Sequence, residues 1–118
     1  GFRVGAALLC ADGTVYGGCN IENAAFGPSC CAERTAFFKA VSEGKREFSA
    51  IAIVGGPAGK EPEDFCPPCG VCRQVMMEFC DPERFRIVLG KGDLSFREYT
   101  LKELLPLGFA GDGVERKE

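Results

Sequence analysis

Two short cysteine motifs constrain this chain more than any other feature of its sequence. The first is Cys31-Ala32-Glu33, and the second is Pro68-Cys69-Gly70-Val71-Cys72. Together they offer three thiolates, which can hold a zinc ion, and a carboxylate that can transfer protons beside the ion. Three protein ligands leave the fourth position of a tetrahedral zinc ion open, which is typical of catalytic rather than structural sites. The motifs therefore require a fold that brings two distant segments together.

The size and composition of the chain predict one globular domain spanning residues 1–118, with a loose polar tail at 111–118. The chain has 118 residues, of which 46% are hydrophobic and 26% are charged, as in ordinary globular domains. A net charge of -3 without a basic run gives no reason to expect a nucleic-acid partner. No apolar stretch reaches the ~18 residues that a membrane span needs.

Cysteine and histidine usage narrows the chemistry further. The chain has eight cysteines and no histidine. A secreted disulfide scaffold is one interpretation of so many cysteines. Their placement within apolar strand and helix patterns, and the metal-ligand spacing of Cys69 and Cys72, instead favour a reduced, cytoplasmic protein. Without histidine, Ser-His and Cys-His catalysis are excluded, and a general base must be a carboxylate.

The hydrophobic pattern predicts the element order β-β-α-β-α-β-β-α. Strands are expected at 2–10, 15–19, 48–54, 86–89 and 94–100. Helices are expected at about 30–42, with Ser29 as N-cap, from about residue 70, and at 101–105. This order is typical of a three-layer α/β/α sandwich on a five-stranded mixed sheet. Its two crossovers would place both cysteine-bearing helix starts at one edge of the sheet.

Several residues near the motifs have two interpretations. Glu33 is either a proton carrier or an ordinary helix-surface carboxylate, and its place two residues after a ligand-type cysteine favours the first. Arg34 is either a surface charge or a partner that offsets the negative charge of a three-thiolate zinc site. The polar stretch 20–23 (Asn-Ile-Glu-Asn) is either a ligand-binding patch or a solvated loop.

Three other sites compete with a catalytic zinc site. A structural zinc site would take Cys30, Cys66 or Cys80 as its fourth ligand. An iron–sulfur site matches the C-x₂-C-x₂-C spacing at 66–72 but lacks the closing Cys-Pro of such runs. A redox CxxC pair would leave the motif at 31–33 unexplained.

The chain resembles the small, homotetrameric type of cytidine deaminase in both zinc motifs, Cys31-Ala32-Glu33-Arg34-Thr35-Ala36 and Pro68-Cys69-Gly70-Val71-Cys72-Arg73-Gln74. The resemblance extends in the same order to residues 2–8, 20–24 and 103–106. It implies a cytidine deaminase-like fold and the hydrolytic deamination of cytidine and 2′-deoxycytidine to uridine and 2′-deoxyuridine in pyrimidine salvage. It also implies one Zn²⁺ per chain and a homotetramer whose subunits share active sites.

The resemblance also implies roles for individual residues. Zinc would be held by Cys31, Cys69 and Cys72, and a zinc-bound water would attack carbon 4 of the base. Glu33 would shuttle protons from this water to ring nitrogen 3 and to the leaving amine. The remaining roles concern substrate. The Ala32 N–H would bind the 2-oxo group, Phe2 would pack against the base, and Asn20 and Glu22 would hydrogen-bond the ribose. Phe109 would enter the active site of a neighbouring subunit.

The chain departs from the family in three places. Phe26 stands where the family often has tyrosine, Cys30 and Cys66 are additional thiols beside the ligands, and the family's N-terminal helix before Phe2 is missing from this chain. That helix would otherwise cover apolar surface of the sheet.

Related functions fit less of the sequence. A deaminase of the blasticidin type shares both zinc motifs, but the intact stretches 20–23 and 105–109 favour cytidine. Nucleic-acid editing deaminases usually have histidine in place of Cys31 and a basic surface. A zinc-stabilised interaction domain would leave Glu33, Asn20 and Glu22 without a role.

Overall fold

The computed structural model describes residues 1–111, and their five strands and three helices follow the predicted order. The strands are Phe2–Cys10 (β1), Val15–Cys19 (β2), Phe48–Pro57 (β3), Arg86–Gly90 (β4) and Phe96–Thr100 (β5). The helices are Ala32–Ser42 (α1), Gly70–Phe79 (α2) and Leu101–Leu104 (α3). Of the tail predicted to be loose, only Gly111 lies within the described residues.

All five strands form one mixed sheet in the order β2-β1-β3-β4-β5. β1 runs antiparallel to both β2 and β3, β4 runs parallel to β3, and β5 returns antiparallel to β4. The connections that carry α1 and α2 lead into and out of β3, at the centre of the sheet. The predicted α/β fold on a five-stranded mixed sheet is therefore confirmed.

The core lies between one face of the sheet and the helices. Along β1, Ala6, Leu8 and Cys10 are buried while the alternate residues are exposed, as expected of a strand with one covered face. Phe37 of α1 lies at the centre of this core. Its ring contacts three other aromatic rings at centroid distances of 5.1, 5.9 and 6.5 Å, those of Phe48, Phe85 and Phe79. The opposite face carries exposed apolar residues, Leu9, Val15 and Val54 among them.

Helix α1 begins later than the sequence predicts, and Ser29 is not its N-cap. The N-cap is Cys31, in an extended conformation. Cys30 is held in a β-bridge, because its N–H donates to the Ile21 carbonyl at 2.9 Å and its carbonyl accepts from the Ile21 N–H at 2.8 Å. The Ser29 hydroxyl instead accepts from the backbone N–H of Asn23 at 3.2 Å. These contacts keep the backbone extended as far as Cys31.

The remaining boundaries differ from the predictions by a few residues. β3 continues to Pro57, since it stays paired with β1 as far as Phe2. β5 begins only at Phe96, because residues 91–95 form a closed turn in which the Lys91 N–H donates to the Ser95 carbonyl at 3.1 Å.

Candidate active site

The starts of α1 and α2 meet and bring three thiols together. Cys31 is the N-cap of α1, Cys69 is the N-cap of α2, and Cys72 lies in the first turn of α2. Their sulfur atoms all lie within 4.8 Å of one another. The Cys31 and Cys69 sulfurs are 3.8 Å apart, and those of Cys69 and Cys72 are 3.5 Å apart. The two sequence motifs thus form one cluster.

This cluster fits a zinc ion. Thiolates at Zn–S distances of about 2.3 Å in a tetrahedron have sulfur–sulfur separations of roughly 3.8 Å, close to those observed here. Soft sulfur donors also suit zinc better than they suit magnesium or calcium. Within residues 1–111 the cluster holds three cysteines, and Cys30, Cys66 and Cys80 are not part of it. The described residues therefore form an open set of three thiols rather than a closed set of four.

Positive charge and helix N–H groups surround the sulfurs. The Arg34 guanidinium donates from Nη2 to the Cys31 sulfur at 3.3 Å, and this contact raises the pKa of Arg34 above its ordinary value. Burial raises the pKa of Cys72. Burial acts the same way on Cys69, but the backbone N–H groups of Cys72 and Val71 and the neighbouring thiols outweigh it and lower the pKa of Cys69. The Arg34 guanidinium and the N–H groups at the start of α2 thus favour negative charge at the cluster, whereas the burial of Cys72 opposes it.

The Arg34 side chain is enclosed as well as charged. Its Nε is buried and has no hydrogen-bond partner among the described residues. Arg34 is half-buried, so it differs from the predicted alternative of a fully solvated surface charge.

Glu33 is the one buried acidic or basic residue within the described part of the chain, with 4% of its surface exposed. It lies in the first turn of α1 and lines the same cavity as the Cys31 and Cys69 side chains. A buried carboxylate is costly unless something stabilises or uses it. This placement excludes the alternative of a helix-surface carboxylate.

A close contact between α1 and β2 sets the position of Glu33 and Cys31. A side-chain carbon at Gly18 would lie 2.4 Å from the Ala32 carbonyl oxygen and 2.7 Å from the Ala36 nitrogen. Only glycine allows the first turn of α1 to approach the sheet so closely. Sequence reasoning missed this residue, since the pattern of β2 alone does not show which helix packs on it.

A cavity of about 340 Å³ lies between the cysteine cluster and the start of β1. Its lining includes the predicted substrate residues Phe2, Asn20, Glu22 and Ala32, together with Phe26 and the additional thiols Cys30 and Cys66. Ala32 is the first residue of α1, so its N–H belongs to the group that finds no acceptor within the helix. The volume lies in the usual range for small-molecule sites.

The Asn20 side chain is largely occupied by contacts within the chain. Its Oδ1 accepts from the Val4 N–H at 2.9 Å, and its Nδ2 donates to the Phe2 carbonyl at 2.9 Å and to Glu22 Oε1 at 2.7 Å. Both N–H donors are therefore used, and one Oδ1 lone pair remains for a ligand. Asn20 consequently fixes the start of β1 and the Glu22 carboxylate, while Glu22 keeps most of its acceptor capacity.

Phe109 is not part of this cavity. It follows α3, and 65% of its surface is exposed. Its carbonyl accepts from Gln74 Nε2 at 2.9 Å. Of the predicted substrate-binding residues, it is the one that the fold of a single chain does not bring to the cavity.

None of the helices in residues 1–111 is long and apolar enough to cross a lipid bilayer.

Several known proteins are similar to this chain. A family model described as the cytidine and deoxycytidylate deaminase zinc-binding region matches residues 1–88, which include the clustered cysteines and Glu33. A cytidine deaminase from Halalkalibacterium halodurans is 51% identical over 113 residues, covering 96% of this chain and 81% of the relative. A blasticidin-S deaminase from Bacillus cereus is 31% identical over 110 residues, covering 91% and 76%. The crystal structure of cytidine deaminase from Burkholderia pseudomallei has a TM-score of 0.80 and 46% identity, covering 92% and 82%.

Proposed function

The chain belongs to the cytidine and deoxycytidylate deaminase family, and we propose that it hydrolyses cytidine and 2′-deoxycytidine to uridine and 2′-deoxyuridine with release of ammonia. One observation carries the proposal: the cluster of three thiols and the buried carboxylate of Glu33 adjoin the same nucleoside-sized cavity, which Cys31, Cys69 and Glu33 line. Metal ligands, a proton carrier and room for substrate are the parts that a hydrolytic deaminase needs.

The metal of the proposed enzyme is one zinc ion per chain, held by Cys31, Cys69 and Cys72. When bound, it supplies Lewis acidity that allows a water molecule to act as a nucleophile at neutral pH. Arg34 balances the negative charge of the thiolates through its contact with Cys31.

Glu33 carries the protons. Its carboxylate accepts a proton from the water that attacks carbon 4 of the cytosine ring, and it donates that proton to ring nitrogen 3. A second proton passes through the same carboxylate to the amine, which leaves as ammonia. Because Glu33 is buried, these transfers take place away from bulk water, which would otherwise compete for the proton.

The other cavity residues hold the nucleoside. The free N–H of Ala32 binds the 2-oxo group of the base, and Phe2 packs against the ring. Glu22 accepts a hydrogen bond from a ribose hydroxyl, and Asn20 orients Glu22 and contributes its one remaining lone pair. In this sugar site Glu22 is the main acceptor, and the main role of Asn20 is to orient it.

The proposed assembly is a homotetramer in which Phe109 of one subunit contacts the substrate of another. The exposure of Phe2, Phe26 and Phe109 supports this arrangement, since all three are large apolar side chains that a single chain leaves uncovered. We place the reaction in pyrimidine salvage in the cytoplasm. All eight cysteines are free thiols, as a reducing compartment would keep them.

Ultraviolet absorbance of cytidine incubated with the purified protein tests the proposal, with zinc measured on the same sample. Conversion to uridine with about one zinc per chain is the expected result. A protein that holds zinc and does not convert either cytidine or 2′-deoxycytidine would contradict it.

A second candidate substrate is an aminonucleoside antibiotic, because one similar protein is a blasticidin-S deaminase. Turnover of blasticidin S without turnover of cytidine, in the same absorbance assay, would favour this candidate. The Asn20–Glu22 pair, hydrogen-bonded at 2.7 Å beside the cavity, offers acceptors for ribose hydroxyls and so supports the unmodified nucleoside.

A further inference from the structure

Three side chains along α2 hold the backbone of segment 104–111, which begins at the last residue of α3 and carries Phe109. Arg73 Nη1 donates to the Leu104 carbonyl at 2.7 Å. Gln74 Nε2 donates to the Phe109 carbonyl at 2.9 Å, and Glu78 Oε1 accepts from the Gly111 N–H at 2.9 Å. These contacts are spaced along the segment from its start to its end, so α2 fixes its path rather than a single point.

Packing allows the segment little freedom between these contacts. A side-chain carbon at Gly108 would lie 3.0 Å from the Leu105 side chain and 3.2 Å from the Met77 sulfur, so the backbone there lies directly on α2. Leu107 has a φ of 59°, in the left-handed region that is unfavourable for leucine. A backbone conformation of this kind persists when its surroundings impose it.

The fixed segment presents its apolar side chains to the outside. Phe109 is 65% exposed and Leu107 is fully exposed. An ordered aromatic ring that stays uncovered adds little to the stability of its own chain. The fixed position of Phe109 therefore does not serve the stability of its own chain, and we ask instead which second molecule it could contact.

We propose that Gln74 and Glu78 are positioning residues that hold Phe109 in the conformation in which it reaches the cavity of a neighbouring copy. The inference rests on the proposed function and deepens it, since it names the residues of one subunit that control substrate binding in another. Both contact backbone groups of the segment, and among the described residues neither lines the cavity nor belongs to the cysteine cluster.

Helix α2 also links the segment that carries Phe109 to the cysteine cluster. Arg73 also donates from Nε to the Pro68 carbonyl at 2.8 Å, directly before Cys69. One guanidinium therefore joins the loop that leads to two of the thiols with the start of the segment that carries Phe109. The zinc ligands of a subunit and the aromatic ring it offers are parts of one hydrogen-bonded unit.

A double-mutant cycle on cytidine turnover provides the first test. Gln74→Met keeps the length of the side chain and removes the donor, and should raise KM about 3- to 10-fold, the effect of one hydrogen bond, with kcat and zinc content unchanged. Combined with Phe109→Ala, it should add nothing to the effect of Phe109→Ala alone. Additive effects, or a Gln74→Met enzyme with the wild-type KM, would overturn the proposal.

Glu78 offers a matched pair of variants. Glu78→Gln retains an oxygen that accepts from the Gly111 N–H and should keep the wild-type KM, whereas Glu78→Ala should raise it. Equal effects of the two substitutions would show that charge or helix stability, rather than the contact with Gly111, is responsible.

A fluorescence measurement tests the proposal without relying on catalytic turnover. The chain contains two tyrosines and no tryptophan, so Phe109→Trp introduces a single indole that can be excited selectively at the position of interest. Gln74→Met in this background should lower the fluorescence anisotropy of the indole in the assembled protein. Unchanged anisotropy would overturn the positioning role even if the wild-type protein proved inactive on cytidine, an outcome that separately contradicts the proposed function.

Discussion

The two ends of the cavity are built in different ways. At the thiol end, Glu33 and Cys72 are buried, and α1 lies directly on the backbone of β2 at Gly18. At the opposite end, Phe2 and Phe26 are exposed, and Phe26 has 93% of its surface uncovered. The polar contact there consists of the Asn20–Glu22 pair, which is also exposed.

This difference suggests that the thiol end serves the chemical step and the far end serves substrate binding. Rigid, dry surroundings hold charges and proton carriers at fixed distances, which is what stabilising a transition state requires. Exposed groups at the far end contribute to binding only when substrate or another subunit covers them. We therefore expect substitutions at the thiol end to reduce kcat or remove the metal, and those at the far end to change KM.

The largest effect is expected from removing a thiol of the cluster. Cys72→Ala should abolish zinc binding and turnover and lower the melting temperature, since metal binding contributes directly to folding at such sites. The checks are zinc content and calorimetry of the same sample. Cys80→Ala is the control, because Cys80 is partly buried but lies outside the cluster. Zinc loss in Cys80→Ala would mean that the metal site is assigned to the wrong cysteines.

Glu33→Gln should leave the metal and the fold intact and lower kcat. A loss of about a hundredfold to ten-thousandfold is expected for a general acid–base residue. Steady-state kinetics would measure it, with Glu63→Gln at an exposed position as the control for loss of one carboxylate. An active Glu33→Gln enzyme would remove Glu33 from proton transfer and with it the contrast between the two ends.

Glu22→Ala should act on binding alone. KM for cytidine should rise about tenfold, as for one lost hydrogen bond to a charged group, while kcat stays within about twofold. Free cytosine, which lacks the sugar, should remain an equally poor substrate for the variant and the wild type. An unchanged KM for the nucleoside would show that the ribose lies elsewhere.

Phe26→Ala is expected to have the smallest effect. Its side chain lines the cavity but is almost fully exposed, so the melting temperature of the isolated chain should not change. KM should rise about threefold, equivalent to roughly 25 Å² of apolar contact with substrate. A large fall in kcat would instead place Phe26 among the residues that act on the reacting atoms.

The sequence predicts the thiol end better than the rest of the molecule. Thiol spacing and hydrophobic periodicity are local properties, and they are sufficient to predict the order of elements and the convergence of Cys31, Cys69 and Cys72. The start of α1 was predicted too early, because the bridge between Ile21 and Cys30 depends on a tertiary contact that no local pattern records.

Contacts across the fold escaped prediction for the same reason. Arg73 and Gln74 were recognisable as parts of a motif, but their partners lie 31 and 35 residues further along the chain. The resemblance predicts that Asn20 binds the sugar. The structure shows that its two N–H donors already make hydrogen bonds to Phe2 and Glu22. Local patterns indicate which residues are unusual, and packing decides what they touch.

The contact at Gly18 has a consequence for anyone who wishes to redesign this protein. Residue 18 lies under α1 and outside the cavity lining, so a library built only from cavity residues would never include it. A single added methyl group there would push the first turn of α1 away from the sheet and carry Glu33 and Cys31 with it. The tolerance of the reaction centre to engineering is thus limited by a residue that has no side chain to engineer.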